Sequence, residues 1–324
     1  MSEPTYSFVI PIYDEAASLP ELYRRLATLV DTLDGESEII LVDDGSRDES
    51  YAIMIGLNHA DPRVKVVRLS RNFGHQLAIS AGIDFANGAA VVVMDGDLQH
   101  PPEVVPEFIA RWRDGYEIVY GVMRDRTEGW FKRASARAYY AVLARLTDVD
   151  VPASAGDFRL LDRSAVEAFK EMRERNRYVR GMISWVGFGQ VGVPYDCPPR
   201  FAGRSKYTPG RMLRLAGTGI TSFSDVPLKL ALRLGYVIAL LSIAFGISAL
   251  VARILGAGVP GWASIAVVTS FVGGFQLILI GIVGEYLARV YDEVKSRPLY
   301  LVRNLHGFEL DSKPGVAVDV AKHR

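Results

Sequence analysis

The chain has one cysteine in 324 residues, Cys197, set between Asp196 and Pro198. A single thiol excludes an internal disulfide, and no Cys/His spacing marks a structural zinc site, so Cys197 reads as an ordinary loop residue. Net charge is lacking too. The 37 Lys+Arg balance 37 Asp+Glu, which argues neither for nor against nucleic acid. The N-terminus shows no basic stretch followed by an apolar one, so no secretory signal is expected. No internal repeat is found. The length allows one large domain plus something more.

What is present is hydrophobicity, unevenly placed. Between Arg233 and Arg253 the run Leu234–Ala252 has no charged residue, and a second uncharged run extends from Ile254 to Gly284. Each can hold the roughly 20 apolar residues that cross a bilayer. Gly256-Ala257-Gly258-Val259-Pro260-Gly261 separates them as a turn. Two buried helices of a soluble core would show a polar face on at least one of them; here only scattered Ser, Thr and Gln276 interrupt the apolar residues. The pattern predicts a two-helix transmembrane hairpin. Arg211, Arg214, Lys229 and Arg233 precede it, and Arg289, Lys295, Arg297 and Arg303 follow it. By the positive-inside rule both ends, and the N-terminal domain with them, are expected on the cytoplasmic face.

Before about Tyr207 the chain reads as an α/β domain. Ser7–Ile12, Glu38–Val42, Val64–Leu69, Ala89–Met94 and Glu117–Tyr120 are the expected strands. Leu19–Leu33, Glu49–Asn58, Gln76–Ala86 and Pro102–Arg113 carry apolar residues near helical spacing between them. Such alternation predicts a mostly parallel sheet covered on both faces. Ligands on these sheets bind beyond the carboxyl ends of the strands, and polar motifs fall there. Pro11-Ile12-Tyr13-Asp14-Glu15 follows the first strand, Asp43-Asp44-Gly45-Ser46 the second, and Asp95-Gly96-Asp97-Leu98-Gln99 the fourth. In an extended chain Asp95, Asp97 and Gln99 would point one way. They would offer oxygen ligands to a hard cation that also takes substrate phosphates; a solvated polar turn is the plain alternative. Further on, helices are expected over Phe131–Leu146 and near Ser164–Arg173. Thr208–Pro227 is expected as amphipathic helices on the membrane surface, and the tail beyond about Gly307 as disorder.

Taken together, these motifs and the hairpin resemble the family 2 glycosyltransferases. The resemblance is to the polyprenyl-phosphate branch, which includes dolichol-phosphate mannose synthases and bacterial polyprenyl-phosphate glucosyltransferases. It implies a GT-A-type nucleotide-diphosphosugar transferase domain over residues 1–208 and interfacial helices over 209–230. Two transmembrane helices (about 234–253 and 263–286) would fill 231–290, with a cytoplasmic tail over 291–324. Pro11, Tyr13 and Glu15 match the first nucleotide-contacting motif. Asp43 and Asp44 match the pair whose second carboxylate meets base or ribose, for which a turn with a helix cap is the structural alternative. Asp95, Asp97 and Gln99 match the Asp-x-Asp-x-Gln metal motif, implying Mg²⁺ or Mn²⁺ at the donor diphosphate, with Asp95 also on the nucleotide sugar and Asp97 catalytic.

The lipid-phosphate acceptor implied by the branch calls for cations near the membrane. Arg124 and Arg133, with Arg126 and Lys132 nearby, follow the fifth strand. Arg204 and Lys206 lie in a matching Arg-x-x-Gly-x-Ser-Lys segment from Arg200 to Lys206. These cations suit phosphate oxygens, or they meet anionic headgroups instead. Asp157 matches the acidic residue proposed as catalytic base. A phosphate monoester is already mostly dianionic at pH 7, so Asp157 can instead orient Arg159 or the acceptor, or be a salt-bridged structural residue. His75, in Asn72-Phe73-Gly74-His75-Gln76, reads as a loop-lining or capping residue, and His100 is given no role. Trp130 and Trp185 read as packing aromatics, and Glu285 as a headgroup-level residue.

The resemblance thus implies an inverting transfer, first of glucose from UDP-glucose, onto undecaprenyl phosphate at the cytoplasmic side of the inner (plasma) membrane. Mannose or an amino-arabinose donor stays open. The expected partners are the nucleotide sugar, the lipid, the membrane and further copies of the chain in a homo-oligomer, with no nucleic acid. A processive polysaccharide synthase would carry Gln-x-x-Arg-Trp; the one Arg-Trp is Arg111-Trp112, with Phe108 where Gln would stand. A non-catalytic membrane scaffold would not need the intact acidic and basic motifs.

Overall fold

Seven consecutive buried residues, Tyr6–Ile12, form β1, the centre of the sheet in this computed structural model. The structure describes residues 4–124, 155–198, 226–255 and 261–308. Strands β2 (Ser37–Asp43), β3 (Val64–Leu69) and β4 (Ala90–Val93) lie parallel around β1. Parallel strands buried on both faces read as continuous apolar runs, which is how Phe8–Ile12 and Ile39–Val42 read. Side chains alternate across the sheet: Phe8, Ile10 and Ile12 enter one apolar cluster, Val9, Val42 and Val93 the other.

The first cluster is closed by α1 (Leu19–Val30) and α4 (Val105–Arg113). Pro20 opens α1, where a missing N–H costs nothing, and Leu22, Leu26, Leu29 and Val30 return to the core at helical spacing. Helix α2 (Ser50–Ala60) packs on the same side through Met54. The second cluster is closed by α3 (His75–Phe85), α5 (Arg163–Glu171) and α6 (Val179–Trp185). Asp162 caps α5, accepting the Ser164 N–H at 2.8 Å. A short 3-10 turn, Pro102–Val104, leads into α4, so the expected Pro102–Arg113 helix divides in two.

Beyond β4 the sheet turns mixed. Strand β6 (Ala155–Asp162) runs antiparallel to β4 and to β5 (Ile118–Met123), and β7 (Gln190–Tyr195) is parallel to β5. Residues Val302–His306 form β8, antiparallel to β3 at the far edge. The order is β7-β5-β6-β4-β1-β2-β3-β8. The expected parallel sheet therefore holds for its β4-β1-β2-β3 half. Strands β6, β7 and β8 have no counterpart among the expected strands; β7 and β8, of six and five residues with modest hydrophobicity, carry little period-2 signal.

Helices α7 (Val226–Ile254, 29 residues) and α8 (Trp262–Val294, 33 residues) are the expected hairpin. At 1.5 Å per residue they run about 43 and 50 Å, longer than the roughly 30 Å of bilayer hydrocarbon. Leu240 and Phe271 are each 68% exposed, among many large apolar side chains on these helices. Core helices of a soluble protein do not present such a surface; these are long and apolar enough to cross a membrane and associate with it. The expected helices over 131–146 and 208–225 and the tail beyond 308 lie outside the described residues.

Candidate active site

The β1–α1 and β2–α2 loops are laced together above the sheet. Asp14, with φ +52°, takes the Arg47 N–H on Oδ1 at 2.7 Å and donates its own N–H to Ser46 Oγ at 3.2 Å. The Glu15 N–H donates to Ser50 Oγ at 2.9 Å. Pro11 is buried within β1, while Tyr13 and Glu15 are half-buried just past its end.

Asp43 and Asp44 divide their work. Asp43 Oδ1 accepts the Ser46 N–H at 2.9 Å, and Oδ2, 3.3 Å from Arg68 Nε, is buried without a hydrogen bond. Asp44 takes the N–H groups of Phe73 and Gly74 at 2.7 and 2.9 Å, one on each oxygen. Burial raises its pKa, against the pull of those two N–H groups. Asp44 thus ties the β3–α3 loop to β2. Gly45 (φ +71°) permits this closeness, since a Cβ there would stand 2.6 Å from Asn72 N.

That loop delivers His75, the first residue of α3. Its Nε2 lies 3.2 Å from Asp157 Oδ2 and 3.5 Å from Asp95 Oδ1. Burial pulls the imidazolium down, but Asp95 and Asp157 outweigh it and the pKa is pushed up to about 9. Asp157, on β6, is 4% exposed. Arg180 on α6 donates to it twice, Nε to Oδ1 at 2.8 Å and Nη2 to Oδ2 at 2.9 Å. Burial alone would raise this carboxyl, yet the guanidinium and His75 hold it well below the usual range. Gln76 Oε1 accepts the Val179 N–H at 2.8 Å, so the same turn of α3 that carries His75 anchors the start of α6.

The structure changes the partner expected for Asp157: it pairs with Arg180 and His75. Arg159 instead donates to the Gly156 carbonyl at 2.6 Å, while its Nε is buried without a partner and burial lowers its pKa to about 10.

The Asp95–Gln99 segment is a turn, not an extended strand. Strand β4 stops at Val93 and Leu98 takes φ +66°, so strand alternation does not align its three side chains. Asp97 is buried, and its Oδ1 accepts the Gln99 N–H at 3.1 Å. Gly96 presses on β1: a Cβ there would meet Ile12 Cδ1 at 2.5 Å. Among the described residues no group of three or more His, Cys, Asp or Glu could hold a metal ion on its own. Two carboxylates and an amide are nevertheless the donor set of a cation that completes its shell with phosphate oxygens. Asp95 Oδ1 is buried without a hydrogen bond, an acceptor that a cation would satisfy.

Of the expected acceptor cations, Arg124 lies at the end of β5, exposed and 4.0 Å from Asp196. Arg126, Lys132, Arg133, Arg204 and Lys206 lie outside the described residues. Sequence reasoning set His75 aside, left His100 without a role and missed Arg180. Gly74 before a helix start was a usable signal for His75; Arg180 had none.

An eight-stranded mixed sheet with acidic loops at the carboxyl ends of β1, β2 and β4 defines a GT-A-type transferase domain. Residues 7–169 match the model of glycosyl transferase family 2. The chain is 46% identical over 305 residues to the uncharacterized glycosyltransferase sll0501 of Synechocystis sp., covering 94% of this chain and 96% of that one. It is 43% identical over 306 residues to the uncharacterized glycosyltransferase YkcC of Bacillus subtilis (94% and 95%). It is 37% identical over 302 residues to the SfII prophage-derived bactoprenol glucosyl transferase of Shigella flexneri (93% and 98%). The chain belongs to glycosyl transferase family 2, and it is a glycosyltransferase.

Proposed function

We propose that this glycosyltransferase moves glucose from UDP-glucose onto a polyprenyl phosphate, undecaprenyl phosphate being the first choice, at the cytoplasmic face of the membrane. The relative from Shigella flexneri, named a bactoprenol glucosyl transferase, supports both sugar and lipid. One structural observation carries the rest. Strand β8 pairs antiparallel with β3, with Val302 opposite Leu69. The chain leaving α8 therefore enters the sheet at its carboxyl edge, where Asp44 and Asp95 stand. This supports a catalytic edge turned toward the side from which a membrane lipid would come. Since β8 follows the hairpin and joins the sheet that precedes it, this reading puts both ends of the hairpin on one side of the bilayer, taken as the cytoplasmic side by the positive-inside rule.

In the reaction a non-bridging oxygen of the lipid phosphate bonds to the anomeric carbon. The bond from that carbon to the donor's β-phosphate oxygen breaks, and UDP leaves with its electron pair, inverting the centre. Pro11, Tyr13, Glu15, Asp43 and Asp44 line the nucleotide side. Asp95, Asp97 and Gln99 would hold a divalent cation, Mg²⁺ or Mn²⁺, which offsets charge on the departing diphosphate. Arg124, Arg133, Arg204 and Lys206 would bind the acceptor phosphate through charge-assisted hydrogen bonds. Asp157 is committed to Arg180 and His75 and stays ionised. A dianionic phosphate needs no base, so Asp157 acts by holding the site's cations in place for in-line attack.

The test is transfer by the purified full chain, reconstituted with undecaprenyl phosphate and Mn²⁺, from a panel of UDP- and GDP-sugars, with mass spectrometry of the extracted lipid. A hexosyl-phosphate lipid from UDP-glucose is expected. No lipid product from any donor would refute the reading, and a product from another donor alone would refute its sugar.

A further inference from the structure

We propose that His100 is a positioning residue for the cation site, holding the main chain of Asp95. The inference rests on the assignment of Asp95 as a cation ligand made above. Met94 is the last residue of this segment tied to β1, its N–H donating to the Val9 carbonyl at 3.1 Å. The next N–H, that of Asp95, leaves the sheet and donates to His100 Nδ1 at 2.9 Å. A nitrogen that accepts carries no proton, so the ring N–H sits on Nε2. That nitrogen faces the same residue, 3.7 Å from Asp95 Oδ2. One imidazole thus spans a five-residue turn and holds its first residue by the main-chain N–H, with Oδ2 nearby but beyond hydrogen-bond distance.

The ring is itself fixed. His100 is 6% exposed and stacks on Phe158 with centroids 4.9 Å apart and planes at 8°. Tyr195 meets it edge-on at 6.3 Å. Phe158 belongs to β6 and Tyr195 to β7, so the mixed half of the sheet clamps the ring. Pro101 follows His100 and restricts its backbone to extended conformations. His75, on the other side of Asp95, is committed to Asp157 and stands beyond hydrogen-bond distance from Asp95 Oδ1. The two histidines therefore differ: His100 fixes the Asp95 main chain, while His75 only ion-pairs with Oδ1 at 3.5 Å, an oxygen that accepts no hydrogen bond.

Partners behind a metal ligand typically change metal affinity by about 10- to 100-fold when removed. The experiment measures Mn²⁺ affinity by electron paramagnetic resonance on the full chain with UDP, without acceptor and so without turnover. His100→Gln places its amide near Nε2 and abandons the Asp95 N–H; Mn²⁺ binding is expected to weaken about tenfold. His100→Asn places its carbonyl near Nδ1, accepts that N–H, and is expected to recover most of the loss. If His100→Gln binds Mn²⁺ as tightly as the unaltered chain, the proposal is wrong and the cation site stands. If His100→Asn is as weak as His100→Gln, ring packing and not the accepted N–H sets the affinity, and the proposal is again wrong. If the unaltered chain with UDP binds no Mn²⁺, the cation reading and this inference fall together.

Discussion

Arg180 on α6 grips Asp157 on β6 through two parallel hydrogen bonds, 2.8 and 2.9 Å long, across 23 residues of sequence. Arg180→Ala would leave a buried carboxylate with His75 as its remaining hydrogen-bonding partner among the described residues. Losing one partner of a buried pair costs about 3–5 kcal/mol, and since the Arg180 side chain is 27% exposed the lower end is expected. Thermal unfolding of the variant beside Asp157→Asn checks this, because the amide needs no counter-charge and should be the milder change.

The same pair sets an acid limb to stability. The folded-state pKa of Asp157 lies below its ordinary value of 3.8, so its contribution is present above that value and is lost as pH falls toward the folded one. The stability gap between the unaltered chain and Asp157→Asn should narrow as pH is lowered from 5 toward 3. A gap independent of pH would show that Asp157 is not held as an anion.

Asp97→Ala should remove cation-dependent transfer. Loss of several kcal/mol of charge stabilisation corresponds to a fall of at least about 100-fold in kcat/KM, measured as labelled lipid formed across a Mn²⁺ titration. Unchanged activity and metal dependence would overturn the assignment.

Truncation after Arg297 would strip β8 from the sheet. Val302, 3% exposed, would leave the core, the Tyr51–His306 contact at 2.9 Å would go, and β3 would become an open edge. Such edges pair with other chains, so the truncated chain should unfold at lower temperature and run as aggregates on size exclusion. A monodisperse product of unchanged stability would show β8 to be dispensable.

A reporter fused after Leu310 should read as cytoplasmic, because β8 returns the chain to the catalytic sheet. An external signal would require an odd number of membrane crossings and would overturn the hairpin.

The sequence by itself determined the local elements. Apolar runs such as Phe8–Ile12 and the period of Leu22, Leu26 and Leu29 are set by near neighbours along the chain, so β1–β5, α1–α5 and the apolar hairpin could be read directly. It also placed the acidic motifs at the carboxyl ends of β1, β2 and β4, since a ligand edge follows from strand direction alone. Tertiary structure decided the rest. His75 meets Asp157 across 82 residues, Val179 meets Gln76 across 103, and β8 joins β3 after the chain has passed through the hairpin. No periodicity encodes such meetings. They depend on β6 entering the sheet antiparallel between β4 and β5, a choice fixed by the packing of both sheet faces at once.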